Sequence, residues 1–169
     1  MKNFLLIVGE SGSGKSTVAN ELSARYGLKV VQSYTTRPPR FDGESGHIFV
    51  CDEEFNRLTD MVAFTEFDGH RYCATTEQVE DCDIYVIDPE GVEYFKDHYV
   101  GEKDCIVLYL YVDEIVRYDR MVARGDSDRD AFRRINHDHR AFSNVNYDLR
   151  IDNNDLDKTV EFINKLIFK

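Results

Sequence analysis

Apolar and polar positions in this chain switch between two periods. Phe4–Val8 is an unbroken apolar run and reads as a buried strand. Lys15–Tyr26 spaces Val18, Leu22 and Tyr26 at helical intervals and predicts an amphipathic helix. Leu28–Val31 predicts a second strand, and Ile84–Ile87 and Ile106–Val112 are short strands rich in β-branched and aromatic residues, as in buried parallel sheets. Asn153, Asn154 and Asp155 are good cap residues ahead of a last helix with Leu156, Val160, Ile163 and Ile167 on its inner face. This alternation of strand and helix predicts an α/β fold built on a parallel sheet.

Two segments depart from the alternation. Residues 33 to about 80 carry loops, short alternating strands (His47–Val50, Val62–Phe67, Arg71–Thr75) and a helical piece near Glu53–Leu58. Residues 120–142 are dense in arginine. Neither has enough apolar residues to fold alone, so both read as insertions on one core, in keeping with a length of 169 residues.

The net charge of −11 argues against nucleic-acid or acidic-membrane partners and makes local arginine clusters informative. The four cysteines show neither a CxxC pair nor zinc spacing and read as small buried residues. The opening MKNFLLIVGES lacks a small-residue cleavage site, and no apolar run is long enough to span a bilayer, so a cytoplasmic location is expected.

Between the first strand and first helix lies GESGSGKS, Gly9 to Ser16, matching G-x-x-x-x-G-K-[ST] in the context that defines a P-loop. Gly9, Glu10, Ser11, Gly12, Ser13, Gly14, Lys15, Ser16 and Thr17 form the expected ATP-binding loop. Its backbone N–H groups converge on phosphate at a helix N-terminus, Lys15 reaches the β- and γ-phosphates, and Ser16 holds Mg²⁺. Asp88, at the end of Ile84–Ile87, reads equally as an acidic partner of the metal and phosphates or as a helix start before Pro89. In SYTTRPPRFDGESGHIFV, residues 33–50, Arg37 and Arg40 flank a Pro-Pro step that stiffens the loop. A second rigid anion site beside a triphosphate suggests phosphoryl transfer between the two.

The chain resembles the guanylate kinases nearly end to end. GESGSGKST and the 33–50 segment, which is similar to that family's S-x-T-T-R-x-x-R-x-G-E, are followed by FTEFDGHRYCAT, IDPEGV, RMVARGD and DNNDLDKTVEFI in the family's order. The resemblance implies a P-loop nucleoside-triphosphate-hydrolase-like α/β/α core (1–32, 82–119 and 143–169), a β-rich monophosphate-binding region (33–81) and a helical lid (120–142). It implies transfer of the γ-phosphate of Mg-ATP to GMP or dGMP by a monomer or homodimer, with Lys15, Arg37 and Arg134 in catalysis. Ser33, Arg37, Arg40 and Tyr72 would hold the acceptor phosphate, Glu66 would face guanine, and Asp88 would match the second acidic residue of a D-x-D-x-Q-G strand end. Arg120 and Arg124 would hold donor phosphates, and Asn153 would lie by the adenine. His47 stands for a phosphate-binding tyrosine, Ala74 for a base-reading hydroxyl that Thr75 or Thr76 could replace, and Val86 for the first Asp of the D-x-D pair. These departures leave open another or modified nucleotide, ribose 1,5-bisphosphate, or a non-catalytic binding module. Arg129, Arg133 and Arg140 read as a solvated helix stripe, and His70, His98, His137 and His139 as structural or exposed.

Overall fold

In the computed structural model, which describes residues 3–39, 42–67 and 69–169, two four-stranded sheets share the chain. In chain order the elements are β1 (Asn3–Val8), α1 (Lys15–Tyr26), β2 (Ser33–Thr35), β3 (His47–Phe49), α2 (Asp52–Phe55), β4 (Met61–Phe67), β5 (His70–Thr75) and α3 (Thr76–Asp81). They continue with β6 (Ile84–Val86), α4 (Pro89–His98), β7 (Asp104–Tyr111), α5 (Glu114–Ala123), α6 (Asp128–Ala141), β8 (Leu149–Asp152) and α7 (Leu156–Ile163).

The first sheet has the order β6-β1-β7-β8 and is parallel throughout. Its central strand shows why three layers form. Phe4, Leu6 and Val8 face a core shared with Val92 and Phe95 of α4, whereas Leu5 and Ile7 face Val18 and Leu22 of α1 and Val160 and Ile163 of α7. Alternate side chains of a strand point to opposite faces, so an all-apolar strand needs helices on both sides. This is the P-loop α/β/α architecture. Because β1 lies between β6 and β7, its carboxyl end opens at the point where consecutive connections diverge, the usual ligand crevice of such sheets.

The second sheet, β3-β2-β5-β4, is mixed: β2 and β3 run parallel, and the other pairs are antiparallel. It packs against the core through Phe64, whose ring lies 6.0 Å from that of Tyr94 on α4. Helices α5 and α6 join through a small apolar cluster of Met121, Ala131 and Ile135.

Three local expectations are corrected. Leu28–Val31 is not a named strand; only Val30 bridges Ile84 at the sheet's edge. Tyr26 is 37% exposed rather than inward, because eight residues past Val18 it has rotated about 80° around the helix. The acceptor-loop segment contributes strand β2 as well as a loop. Among the described residues no helix is long and apolar enough to cross a membrane.

Candidate active site

The P-loop leaves β1 at Val8 and turns into α1 at Lys15. Gly12 and Gly14 have φ of 79° and 91°, which L side chains resist. Gly14 is also tightly enclosed, since a Cβ there would lie 2.8 Å from the Asn153 amide nitrogen. The Lys15 ammonium folds back onto the carbonyls of Gly9 and Glu10 at 2.6 and 3.2 Å. Withdrawal from water lowers its pKa to about 8, against the opposing pull of the Asp138 and Glu10 carboxylates. Bound phosphate favours the charged form, so nucleotide binding above pH 8 must take up a proton. Mg-ADP affinity is therefore expected to fall as pH rises from 8 to 9.5. Calorimetry at pH 9 in two buffers of different ionisation enthalpy should report net proton uptake; zero uptake would separate Lys15 from the phosphates.

Ser16 and Thr17 are exposed on the first turn of α1. Arg120 donates to the carbonyls of Gly12 and Ser13, both at 3.4 Å, and to that of Asn153 at 3.2 Å. The Asn153 amide donates to Ser13 O at 2.9 Å, and the residue is only 4% exposed. Arg120 and Asn153 thus brace the P-loop backbone from behind in this conformation. Arg124 pairs with Asp126 at 2.7 Å in the connection between α5 and α6. None of these three lines the cleft described next.

That cleft, of about 640 Å³, runs from the P-loop to the second sheet. Gly9, Ser11 and Lys15 close one end, and Ser33, Arg37, His47, Glu66 and Tyr72 line the other. Asp88 and Arg134 lie along it. Arg40 falls outside the described residues.

At the acceptor end, Arg37 meets Glu44 fork to fork, NH2 to Oε1 at 2.8 Å and NH1 to Oε2 at 3.2 Å. Both side chains are about 10% exposed, and the carboxylate pushes the guanidinium further up from its ordinary pKa. Arg37 Nε is buried with no partner among the described residues, a donor that an anion in the cleft could satisfy. The Ser33 hydroxyl and His47 Nδ1 are 2.9 Å apart, and the His47 ring packs edge-on against Tyr72 at 5.6 Å. Histidine thus keeps a polar ring where the resemblance leads to a tyrosine. Tyr85 stands beside Ser33, its hydroxyl pushed up by burial.

Asp88 caps α4, accepting from Gly91 N–H at 2.7 Å, and also lines the cleft. Val86 gives the wall an apolar surface. Ala74 is fully buried in the core rather than on the cleft. Thr75 forms a capping box with Gln78, Thr76 donates to Asp60 O at 3.3 Å, and neither lines the cleft. The threonine on the cleft wall is Thr65, opposite Tyr72 in the β4–β5 register.

Several site residues escape sequence reasoning. Glu44, which closes the run RPPRFDGE, was not singled out as a site residue. Asp138 and Arg117 lie buried on α6 and α5, at helical spacing with Ala131, Ile135 and Met121. A charged residue on an apolar face was the available signal. His137 and Arg140, read as exposed, are exposed but stand on the cleft's rim. For a metal, Ser16 and Asp88 offer hard oxygen donors, and no group of three His, Cys, Asp or Glu among the described residues could cage an ion. That set suits Mg²⁺, which keeps waters and phosphate oxygens as most of its ligands.

A P-loop on a parallel α/β/α core, facing a second wall of arginine, hydroxyl and imidazole groups, defines a P-loop phosphate-binding protein. Comparison with known proteins narrows the class. A family described as AAA domain matches residues 5–143. A guanylate kinase of Neisseria gonorrhoeae is 31% identical over 171 residues, covering 92% of this chain and 82% of its own length. One from Prochlorococcus marinus is 28% identical, covering 99% and 97%. In fold, the chain is similar to the crystal structure of guanylate kinase from Anaplasma phagocytophilum, with a TM-score of 0.67, 24% identity, and 99% and 85% of the two chains covered. The chain belongs to the guanylate kinase family, a family of P-loop phosphotransferases.

Proposed function

We propose that the protein transfers the γ-phosphate of Mg-ATP to GMP or dGMP, giving ADP and GDP or dGDP. The observation that supports this most is the single cleft joining Lys15 and the P-loop to Arg37, Ser33, His47, Tyr72 and Glu66. Its volume suits one nucleotide-sized ligand between two phosphate sites.

In this reading Arg37, Ser33, His47 and Tyr72, with Arg40, grip the acceptor phosphate and aim one of its oxygens at the γ-phosphorus. A new P–O bond forms there as the bond to the β,γ-bridging oxygen breaks, and ADP carries away the electron pair. The acceptor is already anionic, so no general base is needed. Lys15 and Arg134 neutralise charge spreading over the transferring group, and α6 keeps water away from it. Ser16 and Asp88 would hold Mg²⁺, which would supply further neutralisation of phosphate charge. Glu66 accepts from the N1–H and 2-amino group of guanine. ATP and GMP as substrates fit a cytoplasmic setting.

Val86 on the cleft wall and Ala74 off it reduce the polar contacts available to a base, which favours keeping a second acceptor in view: another or modified nucleotide, or ribose 1,5-bisphosphate. ADP release should be measured across GMP, dGMP, AMP, CMP, UMP, dTMP and ribose 1,5-bisphosphate, with Glu66→Gln beside wild type. The expected result is turnover with GMP or dGMP alone, and a fall of about tenfold or more in kcat/KM for GMP in Glu66→Gln. Equal turnover of AMP by the wild type would sink guanine recognition.

A further inference from the structure

Two charged side chains that the transfer step does not use are buried where the lid meets the P-loop. Arg117 of α5 and Asp138 of α6 are 3% and 4% exposed, with NH1 and Oδ2 3.4 Å apart. Between them they occupy both backbone polar atoms of Ser11. Its N–H donates to Asp138 Oδ2 at 2.8 Å, and its carbonyl accepts from Arg117 NH1 at 3.3 Å. The Ser11 hydroxyl adds a longer contact to Asp138 Oδ1, and Arg117 Nε donates to Val112 O at 3.2 Å. At the next residue, α5 packs against bare backbone: a Cβ on Gly12 would lie 2.6 Å from the Arg117 carbonyl oxygen. The P-loop tip is thus gripped by both lid helices. Asp138 follows Arg134 by four residues, about one turn along α6, so fixing Asp138 also fixes where Arg134 enters the cleft.

We propose that Arg117 and Asp138 form a positioning clamp that sets the register of α6 on the P-loop and aligns Arg134 with the transferring group, a role that rests on the kinase reading above. A buried ion pair gives little net stability, and replacing both partners with apolar groups is commonly tolerated. Its value here is geometric, where a shift of about 1 Å can cost a hundredfold in rate. Removing Asp138 alone would take from Arg117 its buried carboxylate partner and leave Glu114 at 4.0 Å, so the test removes the pair together, as Arg117→Met with Asp138→Ala, beside Asp138→Asn.

The double variant is expected to fold, to lose about ten- to a hundredfold in kcat with GMP, and to keep both KM values within about threefold. Backbone amides at residues 10–13 of the nucleotide-free protein should exchange hydrogen at least about tenfold faster, with those of β1 unchanged. Wild-type kcat in the double variant, a loss confined to KM, or unchanged exchange at residues 10–13 would each overturn the clamp. Absence of wild-type turnover with any acceptor would count against the kinase reading instead, and the exchange measurement would still decide the clamp.

Discussion

Replacing Lys15 with methionine is expected to lower kcat with Mg-ATP and GMP by about a thousandfold or more, measured as ADP release. The ammonium is the cation of the P-loop itself, held at the carbonyls of Gly9 and Glu10 beside the phosphate-binding backbone. Methionine keeps much of the stem and removes the charge. Backbone N–H groups at the start of α1 remain, so Mg-ADP binding should weaken far less than turnover, by about tenfold. Stability should move the other way. Burial pulls the Lys15 pKa to about 8, below its value near 10.5 in an unfolded chain, so the charged form opposes folding at pH 7. That penalty is fully present below pH 8 and fades between 8 and 10.5, where the unfolded chain alone still holds the proton. The variant should therefore melt no lower than wild type at pH 7 and lose this rise of stability with pH. Undiminished turnover would remove Lys15 from the mechanism.

The second large effect is expected at Arg37. Arg37→Ala should lower kcat/KM for the acceptor by about a hundred- to a thousandfold while leaving the KM for ATP nearly unchanged. Its guanidinium is held by two contacts to Glu44, with Nε lacking a partner among the described residues, so the fork is oriented before any ligand arrives. Arg37→Lys should not restore activity, because a point charge cannot form the paired contacts of a planar fork. Arg37→Ala also takes both of these contacts from the Glu44 carboxylate, so Arg37→Met combined with Glu44→Gln separates lost binding from lost stability. Wild-type acceptor kinetics in that folded double variant would remove the arginine from the acceptor site.

Much of the core was legible because its elements are stated twice in the chain, once by periodicity and once by caps. Phe4–Val8 reads as a buried strand since both faces are apolar, and the glycines of Gly9–Gly14 mark the turn that joins it to α1. The short edge strand Leu149–Asp152 was not seen: four residues of mixed polarity carry too little pattern, and it forms by pairing with β7. The same limit applies to Leu28–Val31, whose apolar residues suggested a strand that the sheet extends to only as one bridge. In the candidate site, glycine and arginine motifs pointed to two anion-binding walls, since phosphate chemistry restricts residue type. Which cation meets which carboxylate was not readable. Arg37 meets Glu44 where one loop folds back over seven residues, and Arg117 meets Asp138 where two helices pack, and in a chain with 32 acidic residues many pairings look equivalent along the sequence.

The most direct measurement is phosphorus NMR of the protein with Mg-ATP and GMP, following each phosphate to its product. The γ-phosphate signal is expected to be lost as the β-phosphate of GDP appears in equal amount with ADP. Appearance of inorganic phosphate alone, or no change in the GMP resonance while ATP is consumed, would contradict it.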